Sequence, residues 1–137
     1  MSFKNDLEIG KRVEAQVAEV LQEIGYSIEF NNSKDKNQLK LWDLKGIKDN
    51  KELKFEIKAD FKYIETGNVA IEVNCVLESE ADIFIYKLAN EFWYTTTNNL
   101  RCELNKTGKY IHGGDGGRSY MKLVKGEDFL KYCKKLK

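Results

Sequence analysis

The chain has 137 residues, 33% of them charged and 42% hydrophobic, which fits one soluble domain spanning 1–137 and large enough to bury a core without disulfide or metal staples. A formal charge of +1 neither marks nor excludes a nucleic-acid partner, because a balanced total hides local clusters of basic groups. The absence of proline excludes a proline-rich linker, and Cys75, Cys102 and Cys133, far apart and without a Cys-x-x-Cys pair, point to reduced thiols instead of disulfides or zinc.

From Asp6 to about Ile24, Val13, Val17, Val20, Leu21 and Ile24 recur at helical spacing, with Gly25 placed to end the helix. "YSIEF" (26–30) then predicts a short strand and "NNSKDKN" a turn-rich loop. "QLKLWDL" (38–44) reads as a second strand, "KGIKDNK" as a turn and "ELKFEIKAD" (52–60) as a third strand. After a turn at Gly67-Asn68, "VAIEVNC" alternates as a fourth strand, and "ADIFIYKL" and "EFWYTTT" form two more, joined near Ala89-Asn90-Glu91. Thr97 or Asn98 caps a short helix carrying Leu100 and Leu104, and "KTGKYIHGGDGGRS" breaks all regularity. "SYMKLV" returns as a strand, and "GEDFLKYCKKLK" ends the chain as a helix with Phe129, Leu130, Cys133 and Leu136 on one stripe. The alternation defines a mixed α/β class built on a central sheet.

Chemistry concentrates on the third strand. Residues two apart share a face, so Leu53, Phe55, Ile57 and Ala59 point one way while Lys54, Glu56 and Lys58 point the other. A solvated sheet face accounts for the charges by themselves. Asp43, however, shares its strand face with Leu39 and Leu41, and a buried acid needs a partner or a metal. On the first helix, Glu14 falls on the shoulder of the apolar stripe, which allows either a boundary residue or an acid facing the sheet. Two acids on adjacent strands suit a hard cation such as Mg²⁺, which is held by one or two carboxylates together with water and a phosphate oxygen. Lys58, one strand repeat from Glu56, would then lie beside that cation, to orient or deprotonate water if its surroundings lower its pKa.

An acid on a helix, then an aspartate, twelve residues and Glu-x-Lys within "FEIKAD", resembles the PD-(D/E)xK nuclease superfamily over roughly Gly10 to Leu88. Trp42 stands where the motif's proline would be. The resemblance implies a restriction-endonuclease-like α/β core of α-β-β-β-α-β type, a central mixed sheet flanked by helices, and Mg²⁺-dependent cleavage of DNA with Mn²⁺ as a substitute. It makes Asp43, Glu56 and the backbone carbonyl of Ile57 metal ligands, gives Lys58 water activation and transition-state charge, and makes Glu14 the helical acid of Holliday-junction-resolvase-like branches. It further implies a small phage-type endonuclease acting on branched or otherwise structured DNA. A chain this short has little room for sequence-reading machinery, so a homodimer that cuts two strands is the natural form.

Lys11, Lys45, Lys54 and Arg118 are the candidate phosphate contacts. "TGNVAIEV" resembles a family segment that places Thr66, Gly67 and Asn68 near the site with Glu72 able to face it, and "SEAD" one around Ser79 and Asp82, although a plain turn and a cap explain both equally well. The single His112 excludes a multi-histidine metal site. No secretory signal opens the chain and no run is long enough to cross a bilayer, so the expected location is the cytoplasm, or the host cytoplasm for a phage-encoded protein. The alternative is a catalytically silent nucleic-acid- or protein-binding module of the same fold.

Overall fold

The computed structural model describes the backbone of residues 3–35, 37, 41–106, 109–113 and 119–137, and the side chains of these apart from 3–7, 109–113 and 119. Helix α1 (Phe3–Glu23) presents Val13, Val17, Val20 and Leu21 as its buried stripe. Gly25 stops it at φ 108°, where Gly25 N–H bonds Gln22 C=O and Tyr26 N–H bonds Leu21 C=O, a Schellman ending. Strands β1 (Ser27–Phe30), β2 (Leu44–Lys48) and β3 (Lys51–Asp60) follow as an antiparallel meander.

The second strand is displaced from its expected place. It starts at Leu44 and absorbs the residues read as a turn, while Gln38, Leu39 and Lys40 lie outside the described residues. The turn shrinks to Asp49-Asn50, both at positive φ, the two-residue hairpin that short polar side chains tolerate. Gly46, which suggested a turn, is a packing glycine: a Cβ there would lie 2.9 Å from atoms of both the Phe55 and Tyr26 rings.

After β3 come the one-turn helix α2 (Tyr63–Thr66), β4 (Asn68–Glu72) and α3 (Val73–Glu78). The expected fourth strand therefore ends at Glu72, and its second half is helix because Val73 and Val76, three apart, are the residues buried there. Strands β5 (Ile83–Leu88) and β6 (Glu91–Thr96) lead to α4 (Thr97–Glu103), capped by Thr96, whose hydroxyl accepts from Asn99 N–H. Lys109–Gly113, read as irregular, form β7, paired antiparallel to β8 (Ser119–Lys125). The C-terminal helix is shorter than its stripe suggests. Helix α5 covers only Gly126–Lys131, because Leu136 crosses to the other core while Lys134–Lys135 pair as β9 along the edge of β6.

The strands form a six-stranded mixed sheet in the order β1-β2-β3-β5-β6-β9, with β3 and β5 parallel, and an antiparallel three-stranded sheet β4-β8-β7. One face of the large sheet, with Leu44, Phe55, Ile57 and Ile85, packs on α1. The opposite face, with Phe84, Tyr86 and Leu88, packs on the small sheet and short helices through Val69, Ile71, Val76, Leu100 and Phe129. Strand β3 is thus sandwiched, and its charged face turns into the protein instead of toward bulk water.

Candidate active site

The site forms where β2 parts from β3. The last paired residues are Leu44 and Phe55, which puts Asp43 opposite Glu56 just beyond the ladder. Asp43 N–H still donates to Phe55 C=O at 2.9 Å, and its carboxylate takes over from the missing strand by accepting Ile57 N–H at 2.7 Å. A strand residue directs its N–H and C=O to the same side, so the Ile57 carbonyl opens beside Asp43.

Glu56 is only 5% exposed. Its carboxyl is pushed up to about 9, first by burial and then by a hydrogen bond to Asp43 and the charge of Asp43, with Lys58 pulling the other way. Glu14 reaches the same aspartate from α1. Burial, then the charge and hydrogen bond of Asp43, push it up to about 7 against the pull of Lys11. Helical phase left Glu14 open between a boundary residue and a site residue; its contact with Asp43 settles its place beside the other acids.

Ser79 Oγ sits between strand and loop, 3.1 Å from Leu41 C=O and 3.5 Å from Glu56 Oε1. Its backbone carbonyl is held at 3.0 Å by Arg101, which also donates to the carbonyls of Val76 and Leu77 at the end of α3.

Lys58 shares a cleft of about 510 Å³ with Leu41, Glu56, Glu72, Cys75 and Glu78. Its Nζ lies 3.5 Å from Glu72 Oε2, and its side chain is 25% exposed. Burial alone would lower its pKa, but Cys75, Glu72 and Glu56 more than offset that and hold it above the ordinary lysine value. The thiol of Cys75 is itself pushed up to about 11 by burial, and the ion-pair partner of Lys58 is Glu72. The condition for proton removal, a lowered lysine pKa, is not met by these neighbours, and an ammonium here is suited to stabilising negative charge and orienting water.

The donors fit a hard divalent cation. Two carboxyl groups and a peptide carbonyl are all-oxygen ligands, and Glu56 is an acid whose raised pKa comes first from burial and then from Asp43, so a cation between the two would favour the ionised form of both. Among the described residues no group of three or more acid, histidine or cysteine side chains is placed to hold a metal ion, whereas Mg²⁺, which retains several waters, is held by one or two carboxylates.

The same carboxyl makes a stability prediction. A group whose folded pKa is raised favours the fold while protonated and loses that contribution as pH rises from its ordinary 4.5 toward about 9. Glu56→Gln keeps the neutral shape at every pH, with the amide donating to Asp43. In EDTA it should raise unfolding stability by about 1–3 kcal/mol near pH ~8 and change it little near pH ~5. Thermal unfolding at the two pH values checks this, and an equal effect at both would contradict it.

Lys45 and Lys54 are a cross-strand pair on the face that carries Asp43 and Glu56. Their Nζ atoms stand 5.1 and 5.8 Å from the centroid of the Trp42 ring, balanced by Glu52 at 3.7 Å and Glu80 at 3.8 Å. Lys11 is exposed on α1 next to Glu14. Arg118 lies outside the described residues. Cys75 and Glu78 enter the cleft on α3; the expected strand covered Cys75 and stopped short of Glu78. A helical i, i+3 count from Val73 to Val76 was the available signal.

A mixed six-stranded sheet with α1 on one face and short helices on the other is a nuclease-like α/β fold. The structure of a bacterial homing endonuclease, I-Ssp6803I, is similar, with a TM-score of 0.56 and 12% identity over 84% of this chain and 71% of that one. At that identity the likeness is one of fold. No family model and no curated protein sequence matches the chain. Among the described residues, no helix is long and apolar enough to cross a membrane.

Proposed function

We propose that the chain is a Mg²⁺-dependent DNA endonuclease of the PD-(D/E)xK type, with Mn²⁺ able to substitute. The observation that carries this reading is the meeting of Glu14, Asp43, Glu56 and Lys58 in one place, at the opening between β2 and β3. The fold shared with a homing endonuclease favours an internal cut in a nucleic acid.

Asp43, Glu56 and the Ile57 carbonyl are the ligands in this proposal. When bound, the cation supplies Lewis-acid charge and activates water for in-line attack on the phosphodiester. Asp43 is kept in register by Ile57 N–H and by Glu14, and Glu56 is kept in place by Asp43 and Ser79. Lys58 presents its ammonium to the charge that develops on the phosphate oxygens. Lys45 and Lys54, mounted on the same face, and Lys11 and Arg118 bind the flanking phosphates without reading sequence. A branched or structured DNA substrate, a homodimer as the acting form and a cytoplasmic or host-cytoplasmic location belong to the same proposal. No added recognition domain is needed for shape-selective cutting.

Nicked, flapped, four-way and linear DNAs incubated with Mg²⁺, Mn²⁺ or EDTA test it. Cleavage is expected with either metal and none with EDTA. Cleavage that persists in EDTA overturns the metal dependence. Binding without cleavage in every condition favours the catalytically silent module.

A further inference from the structure

Lysine is a point charge on a flexible stem, so its value in a site depends on what holds the ammonium in place. Of the neighbouring acids, Glu56 shares the strand face of Lys58 and lies beside Asp43, and Asp43 accepts Ile57 N–H. The described carboxylate that meets Lys58 Nζ is Glu72, at 3.5 Å and in the same cleft.

Glu72 has a firm mount. It is the last residue of β4, paired to Met121 of β8, and the first turn of α3 begins directly after it. Ile71 and Val73 on either side are buried, at 0% and 6% exposure, so the backbone of Glu72 is fixed while its side chain, 47% exposed, reaches Lys58 in the cleft. Cys75, one turn along α3, lines the same cleft and lies beside the same ammonium.

We propose that Glu72 is a positioning residue that holds the Lys58 ammonium extended into the cleft through their ion pair. The assignment rests on the nuclease reading above. A partly exposed ion pair contributes little to stability, whereas a misplaced catalytic group lowers turnover steeply, and this contrast separates a positioning role from a structural one.

The test is a double-mutant cycle on the full chain, using the DNA and metal that the wild type cuts best. Glu72→Gln should lower kcat about ten- to thirtyfold with KM and melting temperature unchanged. Glu72→Asp, which keeps the charge on a shorter stem, should recover part of that loss. In a Lys58→Ala background, Glu72→Gln should cause no further loss, because its effect is routed through the lysine. Wild-type turnover in Glu72→Gln overturns the proposal, as does a further loss of equal size in the Lys58→Ala background. If Lys58→Ala is impaired while Glu72→Gln is not, the nuclease reading stands and the positioning role falls. A folded wild type that cuts no DNA overturns both.

Discussion

Asp43→Asn should abolish cleavage, lowering kcat by about a thousandfold or more, equivalent to ~4 kcal/mol of transition-state stabilisation. The loss follows from charge and not from shape. The asparagine carbonyl oxygen can still accept Ile57 N–H, where the aspartate now does so at 2.7 Å, so the junction between β2 and β3 keeps its closing bond. The amide nitrogen meets Glu14 and Glu56, which are pushed up to about 7 and about 9 partly by the negative charge of Asp43. Removing that charge lets both acids titrate closer to their ordinary range. The fold survives, DNA binding persists or tightens because one phosphate-repelling charge is gone, and the cations that supply affinity are untouched. Circular dichroism and DNA binding measured in Ca²⁺ check those two parts.

Lys58→Ala should lower kcat by about a hundred- to a thousandfold, as loss of one preorganised charge at an oxyanion does, with little change in metal affinity. Lys58 is not a ligand, and its ammonium is held above its ordinary pKa by Cys75, Glu72 and Glu56 against the effect of burial. Its removal leaves Glu56 and Glu72 facing each other without a cation, so the apparent Mg²⁺ requirement should stay level or ease. Mg²⁺ titration of the residual activity is the check. A proportionate rise in the Mg²⁺ needed for half-maximal rate would make Lys58 part of the metal's binding and not of the chemistry.

Much of this geometry is legible in the sequence because it rests on strand alternation. The opposite faces of β3 follow from its period of two, and the structure sends Phe55 and Ile57 to α1 and Glu56 and Lys58 to the cleft. The stripe of Val13, Val17, Val20 and Leu21 likewise identified the face of α1 that covers the sheet. Failures occurred where a residue had two physical uses. Gly46 suggested a turn, yet it is small to admit two aromatic rings. The run from Val69 to Cys75 satisfies strand alternation up to Glu72 and helical spacing from Val73, and the i, i+3 pair Val73 and Val76 that marks the change completes only beyond that run.

The environment of Lys58 was beyond the sequence for a different reason. Its pKa depends on Glu72 and Cys75, fourteen and seventeen positions away, brought beside it by a second sheet that pairs β4 with a strand near the C-terminus. The charged face of β3 looked like solvated surface for the same reason. Its cover, Glu72 and Cys75, is held there by pairing of β4 with β8 near the C-terminus.

Asp43, Glu56 and Lys58 are proposed to form one metal-dependent hydrolytic site. Its most direct test is cleavage of a single DNA substrate by wild type, Asp43→Asn and Lys58→Ala across one Mg²⁺ titration, with binding of the same DNA followed in Ca²⁺. Metal-dependent cutting by wild type is expected, together with near-complete loss in Asp43→Asn at every Mg²⁺ concentration, a lowered plateau at an unchanged midpoint in Lys58→Ala, and retained binding by all three. Cutting by Asp43→Asn at the wild-type rate would contradict the account, because it would place the chemistry away from the junction of β2 and β3.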